Sequence, residues 1–498
     1  MTETLLISQS LVISKSITNT NKDQPINQST IMNIFEAFNE TRTTNGDRAY
    51  KRYIGNPYVD FLFRLQKIRE IAKYKGLAEV ENLIIVDYPE FLEKSEFNRF
   101  FSMYIRDPRM GIGEREIGRV LLKIQNISID DVIEIGRADD ILFTHTPKEV
   151  VGYIKEAMDN DSIRGNYELL KKWLPRERSK KFKIIRNELR RQKISKTIYR
   201  GWCASPMTVE SVRSRGEFPE DYSHVPSLSM LRHKKEFFKD ENFKKYLEEL
   251  KSGKTKINQS VSTPYDILRS YRNTAFSGFD YRYTAYDGKV NPSEKGMEHD
   301  TFYTEAFKAL GSMNFGKIIP IIDGSGSMFD RFDSIGKARS IGHYVSRHSE
   351  YLRNHFIVFS DDSRIMKLTK DEDFSYVRDM AIIESFGDCT CTNFEAVLRN
   401  LNNVTTDLPD YVLVLSDMQF DDSYDRNATH LDTLNQKGVK MIWWNLSVDN
   451  VTLPTVSKDG NVFVSGYSPQ ILSMLSGEFD AESYVTKLIE DYKKKRSR

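Results

Sequence analysis

The stretch Lys317-Ile-Ile-Pro-Ile-Ile-Asp323-Gly-Ser325-Gly-Ser327-Met328 decides how this chain is read. Its apolar run is short and dominated by isoleucine, which fits a strand buried on both faces. The run ends in Asp323, and a Gly-containing turn then presents Ser325 and Ser327 at spacing two. Similar runs follow at Phe356 to Phe359, Tyr411 to Leu415, Val439 to Trp444 and Val462 to Val464. Helical stretches lie around 335–350, 393–403, 427–437 and 468–476. Strand alternating with helix predicts a mostly parallel sheet covered on both faces, in an open, doubly wound order. Ligands of such sheets sit at the carboxyl ends of the strands, near the point where strand order reverses.

Two more polar pieces fall at strand ends. One is Gly387-Asp388-Cys389-Thr390-Cys391-Thr392-Asn393-Phe394, a loop leading into a helix; the other is Tyr411-Val-Leu-Val-Leu-Ser416-Asp417. Carboxylates beside small hydroxyls offer hard oxygen donors without sulfur or imidazole. Such a set suits Mg²⁺, with Mn²⁺ as a substitute. The Asp-Gly-Ser-Gly-Ser turn lacks the Gly-Lys-Ser/Thr ending of a phosphate loop. No nucleophile–base pair accompanies it, and His343, His348 and His355 fall in or just after the following helix, so binding rather than turnover is expected.

In this order, Asp-x-Ser-x-Ser, a downstream Thr and a strand-terminal Asp resemble the metal-ion-dependent adhesion site of the von Willebrand factor A domain. The resemblance implies direct ligation by Ser325, Ser327 and a Thr, with Asp323 and Asp417 binding directly or through water. The Thr is Thr390 or Thr392; Thr392 abuts the helix start as in relatives and is the preferred candidate. The resemblance also implies an open metal position filled by a partner protein's carboxylate.

Upstream, from about residue 31 to 290, the period is helical. Apolar residues recur at Phe61, Leu62, Leu65, Ile68 and Ile71, at Ile117, Val120, Leu121 and Ile124, and at Phe237, Phe238, Phe243, Tyr246, Leu247 and Leu250. Each set marks one buried helix face. Asp107-Pro108, Pro175 and Asn291-Pro292 divide the segment into short helices. No repeat of fixed period is evident, so an irregular, HEAT-like stack is expected. The whole chain thus reads as α plus α/β: a flexible leader over 1–30, a helical domain over 31–313, the sheet domain over 314–477, and a C-terminal helix with a solvated basic tail over 478–498.

Of 498 residues, 73 are Lys or Arg and 71 are Asp or Glu, and this balance hides an asymmetry. Residues 314–477 hold 15 basic and 22 acidic residues, a net of −7, so the remainder carries +9. Residues 171–200 hold 13 Lys or Arg against two Glu, with Trp173, Phe182 and Tyr199 interleaved. A basic face with nearby aromatics can bind phosphate backbones and stack bases. Three cysteines are too few for a disulfide framework, so reduced thiols and an intracellular, cytoplasmic protein are expected. No apolar run is long enough to span a membrane.

Lys172-Trp173-Leu174-Pro175-Arg176-Glu177-Arg178-Ser179 resembles a motif of an uncharacterised family that joins a helical domain to a C-terminal von Willebrand A domain. That family is similar to the TROVE (Ro autoantigen) proteins. Further matching pieces are Thr44-Asn45-Gly46, Val59-Asp60-Phe61-Leu62-Phe63, Arg106-Asp107-Pro108-Arg109-Met110-Gly111-Ile112-Gly113-Glu114-Arg115-Glu116, Val225-Pro226-Ser227, Ser416-Asp417-Met418-Gln419-Phe420 and Ser465-Gly466-Tyr467-Ser468. They span about residues 40–477. Met110 and Ile112 depart from the pattern, where relatives are richer in Gly and Lys. The resemblance implies a helical ring or horseshoe closed by the A domain, and binding of structured RNA. The residues it carries over are Lys171, Lys172, Arg176, Arg178, Lys180, Lys181 and Lys183, with Arg106, Arg109 and Arg115; salt bridges to Glu114 or Glu116 are the alternative for the last three. The expectation is a non-enzymatic, monomeric RNA-binding scaffold, the alternative a protein–protein adaptor.

Overall fold

A computed structural model describes residues 40–42, 48–50, 56–164, 167–203, 209–258, 262–275, 294–386, 391–420, 424–447, 462–465 and 484–496. The 1–30 leader and the helix expected around 468–476 lie outside these residues. Ahead of the helices, Glu40–Arg42 (β1) and Arg48–Tyr50 (β2) pair antiparallel, a hairpin not foreseen in a helical stretch. Strands of three residues are too short to show a period.

Among the described residues, helices dominate from Pro57 to Lys308. Asn56 starts the first, its side chain accepting from the Tyr58 and Val59 amides. The continuous face expected over Phe61 to Ile71 is divided at Arg64 into Pro57–Phe63 and Leu65–Tyr74. The set from Phe237 also crosses a break: one helix is Ser227–Phe237, and the next, Glu241–Lys251, is capped by Asp240. The face from Ile117 is the single helix Arg115–Ile124.

The sheet comprises Ile318–Asp323 (β3), His355–Phe359 (β4), Ser363–Lys367 (β5), Tyr411–Ser416 (β6), Lys440–Asn445 (β7) and Val462–Ser465 (β8). Its order is β5-β4-β3-β6-β7-β8. Five strands run parallel, and β5 pairs antiparallel on β4 at the edge. β5 carries no buried apolar run, with Ile365 63% exposed, so it left no signal in the sequence. The helix Tyr376–Glu384 was likewise unforeseen.

Alternate residues of each strand enter different layers. Ile319, Ile321, Val412, Val414, Met441 and Trp443 pack against Phe394, Val397, Leu398 and Leu434 from the helices Phe394–Asn402 and Tyr424–Gln436. Ile318, Ile322, Leu413, Leu415, Ile442 and Trp444 join a core that includes Ile341 and Tyr344 of Ser334–His348 and continues into the helical part. A Cβ on Gly342 would lie 2.6 Å from Ile322 Cδ1, so glycine sets how closely this helix approaches β3.

The helical part meets the sheet part at both its ends. The helices Pro264–Ala275 and Asp300–Lys308 pack on Ser334–His348 and Tyr376–Glu384, and Pro57–Phe63 packs on β8. The last helix, Tyr484–Arg496, returns to Glu96–Arg106. Val485, Ile489 and Tyr492 are buried, the Tyr492 hydroxyl donates to Asp107 Oδ2 at 3.0 Å, and Arg496 pairs with Glu134 at 3.2 Å. An apolar stripe at spacings of four and three docks this helix, while Lys494 and Lys495 at its basic end stay exposed. Among the described residues, no helix is long and apolar enough to cross a membrane.

Candidate metal centre and basic groove

The chain leaves β3 toward β4 on one side and β6 toward β7 on the other, so strand order reverses between β3 and β6. Asp323 and Ser416 end these two neighbouring strands. The Ser416 hydroxyl donates to Asp323 Oδ2 at 2.6 Å, and the Ser325 amide donates to Asp323 Oδ1 at 2.9 Å. Ser325 Oγ and Ser327 Oγ lie 3.1 Å apart. Asp417 follows Ser416, and its carboxylate is in hydrogen-bonding range of Ser327. Met418 then adopts a left-handed backbone with φ 63°, unusual for a non-glycine residue. This turn lets its amide donate to Ser416 Oγ at 2.9 Å.

Asp323, Ser325, Thr392 and Asp417 are buried, whereas Ser327 is exposed. Thr392 arrives through its loop: the next residue's amide, from Asn393, donates to the carbonyl of Ser360 just beyond β4. Asn393 caps the following helix by accepting from Ala396 N. Thr390 lies outside the described residues. The Ser416 side chain was absent from the candidate set, although its place before a strand-terminal Asp was the signal for it.

Burial pushes the Asp323 carboxyl up, and the neighbouring Asp417 charge pushes it further, against hydrogen bonds from Ser416 and Ser325. Burial also raises Asp417, opposed by Ser327, with the Asp330 charge adding to the rise. Two crowded carboxylates with raised affinity for protons will also gain from a cation. The 3.1 Å hydroxyl separation is near the edge of an Mg²⁺ octahedron, about 2.9 Å for ligands at about 2.0–2.1 Å. Among the described residues no group of three or more His, Cys, Asp or Glu could hold a metal, so an ion here would depend on the hydroxyls. The donor set fits a hard divalent cation.

The loop after Ser327 is tied down by two aspartates. Asp330 accepts from the amides of Phe332 and Ser334 and from the Ser334 hydroxyl. Asp333, itself left-handed at φ 57°, caps Ser334–His348. It also receives Arg272 of the helical part at 2.8 Å and the Tyr265 hydroxyl at 2.9 Å.

The basic candidates separate into two groups. Arg106 is buried and ion-paired with Asp140 at 2.5 Å, so it is an interior residue rather than a surface contact. Arg115 and Lys181 pair with Asp139 at 3.0 and 2.7 Å, and Arg109 donates to the Glu134 carbonyl. The partners are not those the sequence pointed to: Glu114 takes Arg69, and Glu116 takes Arg119. Lys171 and Lys172 stand near the Trp202 and Trp173 rings.

Arg176, Arg178, Lys180 and Lys183 line a groove of about 680 Å³, together with Arg186, Lys196 and Arg200. The last three were not among the candidates. Arg186 follows Lys183 by three residues on the helix Phe182–Arg191, a stripe visible in hindsight. Lys196 and Arg200 come from the next helix, Lys196–Trp202. The one acid among the described lining residues, Glu177, pairs with Lys196 at 3.0 Å. Phe182 and Tyr199, read as stacking residues, are buried, and the Tyr199 hydroxyl is spent on the Pro175 carbonyl.

Residues 154–302 match a family model described as a domain of unknown function (DUF2828), and residues 317–498 match another described as a domain of unknown function (DUF7788). The uncharacterized protein L728 of Acanthamoeba polyphaga mimivirus is 22% identical over 531 residues, covering 90% of this chain and 87% of its own length. The two matched segments, one helical and one built on the sheet, support placing the chain in an uncharacterised domain family.

Proposed function

We propose that the protein is a non-enzymatic binding scaffold with two ligand surfaces. The sheet part is read as a von Willebrand A-like domain that holds Mg²⁺, or Mn²⁺ in its place. Ser325, Ser327 and Thr392 would ligate directly, and Asp323 and Asp417 directly or through water. The cation would supply a Lewis-acidic position for a carboxylate of a partner protein. The observation that carries this reading is the meeting of Asp323, Ser416 and the Ser325–Ser327 pair at the switch point of the sheet. The helical part is read as an irregular, HEAT- and TROVE-like stack that binds RNA, supported by the basic groove. Its partners are then RNA and an acidic protein segment; the low cysteine count supports a cytoplasmic location, and the protein is read as a monomer.

The test is recovery of molecules that co-purify with the full chain, with nuclease and EDTA applied in parallel. The reading expects RNA to leave with nuclease and a protein to leave with EDTA. A protein partner lost with EDTA and no RNA even at low salt would leave the adaptor role alone. Calorimetric titration with Mg²⁺ that shows no binding would overturn the metal-site half.

A further inference from the structure

The groove differs from the basic surface that the sequence led one to expect, because it has charge without exposed rings. Seven cations line it: Arg176, Arg178, Lys180, Lys183, Arg186, Lys196 and Arg200. Arg176 donates to the Cys203 carbonyl and Lys196 is held by Glu177. The other five are exposed and lie beyond ion-pair distance of any carboxylate among the described residues, although the Glu177 charge also reaches Arg178 and Arg200. Five unpaired like charges around one concavity repel one another, and a polyanion relieves that repulsion while releasing its own counterions.

Reading bases would need exposed rings for stacking or fixed donors and acceptors facing base edges. The two rings in the lining, Phe182 and Tyr199, are 2% and 1% exposed and pack on each other with centroids 5.4 Å apart. Trp173, the third aromatic of the basic segment, is half-buried under the Arg137 guanidinium, 3.7 Å from its ring centroid, and does not line the groove. The unpaired side chains are long, mobile lysines and arginines, suited to phosphate oxygens in many arrangements.

We propose that this groove binds a run of phosphates of a single nucleic-acid strand by charge alone and does not read the bases. The proposal rests on the RNA-binding reading and makes it more specific. Contacts by all five free cations would give a log–log salt slope of about −3.5, at about −0.7 per phosphate on a single strand.

The test measures binding of the full chain to end-labelled oligo-U, oligo-A and oligo-C of equal length, with inorganic polyphosphate and poly-glutamate as competitors. The comparison protein is the triple variant Arg178→Gln, Lys183→Gln, Arg186→Gln, whose exposed positions leave the core intact; circular dichroism checks its fold. The expected result is that the three oligomers bind within about threefold of one another. Polyphosphate competes more strongly than poly-glutamate, and the variant loses at least tenfold for all three. A tenfold preference for one base, or equal affinity in the variant, overturns the proposal but leaves RNA binding standing. Competition by poly-glutamate as strong as by polyphosphate overturns it in favour of an acidic protein partner. Absence of binding by every oligomer at low salt removes the RNA reading along with it.

Discussion

The Ser416 hydroxyl donates to Asp323 Oδ2 at 2.6 Å, joining the carboxyl ends of two parallel strands that lie 93 residues apart in sequence. Both side chains are fully buried, so the bond fixes where the carboxylate points. Removing a group that orients a metal ligand typically costs about 10- to 100-fold in affinity. Ser416→Ala is therefore expected to weaken Mg²⁺ binding by that factor, read by calorimetric titration, with the fold retained. Unchanged affinity would show that Ser416 does not orient a ligand.

Arg272 joins the two parts of the protein. Its Nε lies 2.5 Å from Glu384 and its Nη1 2.8 Å from Asp333; Arg272 and Glu384 are buried and Asp333 is partly so. Arg272→Ala leaves both carboxylates without their shared cation. Breaking a buried pair in this way costs about 3–5 kcal/mol. Denaturant unfolding is expected to show that loss, and a change under about 1 kcal/mol would mean that the junction relaxes or takes in water.

The buried histidines should cost stability on acidification, while the raised Asp323 and Asp417 carboxyls, which bind protons more readily folded than unfolded, act in the opposite direction. Burial holds His343 below its ordinary value; Asp379, 2.7 Å away, pulls the other way, and Arg347 adds to the lowering. Burial also lowers His145, His299 and His348. A group whose pKa is lower in the folded state takes up its proton on unfolding. The unfolded chain thus binds more protons as pH drops through about 6.5, at a cost of at most about 1.4 kcal/mol per pH unit for each group. On going from pH 7.5 to pH 5.5, His343→Gln is expected to lose less melting temperature than the native protein. An identical change in the two proteins would count against a buried neutral His343.

The C-terminal helix is expected to stabilise the beginning of the helical part. Tyr492 is 2% exposed and stacks edge-on against Tyr104, with centroids 5.4 Å apart. Tyr492→Ala should cost about 3–5 kcal/mol, as large aromatic truncations in cores do. Hydrogen exchange should then rise in Glu96–Arg106, on which the helix rests. Faster exchange confined to 484–496 would show that the helix is dispensable to its neighbour.

The strands β3, β4, β6 and β7 were legible because burial on both faces writes an unbroken apolar run into the sequence, and β8 was read from the run Val462 to Val464. The Asp-x-Ser-x-Ser turn was legible because its parts are near neighbours in the chain. The edge strand β5 was not, since half-exposed residues leave no such run. Arg106 and Arg178 look alike in sequence, yet one is buried against Asp140 and the other faces solvent.

By itself, then, the sequence determined the local matter: the parallel strands and most of the helical segments, that β3 ends in a carboxylate followed by two hydroxyls, and that positive charge gathers in 171–200. The tertiary structure decided which groups share a point in space. It brought Ser416 to Asp323, moved Arg106 inward, buried Phe182 and Tyr199 beneath a groove, and folded the basic C-terminus onto Glu96–Arg106. The reason is physical: period and turn chemistry act over a few residues, whereas burial and ion pairing depend on partners tens to hundreds of residues away.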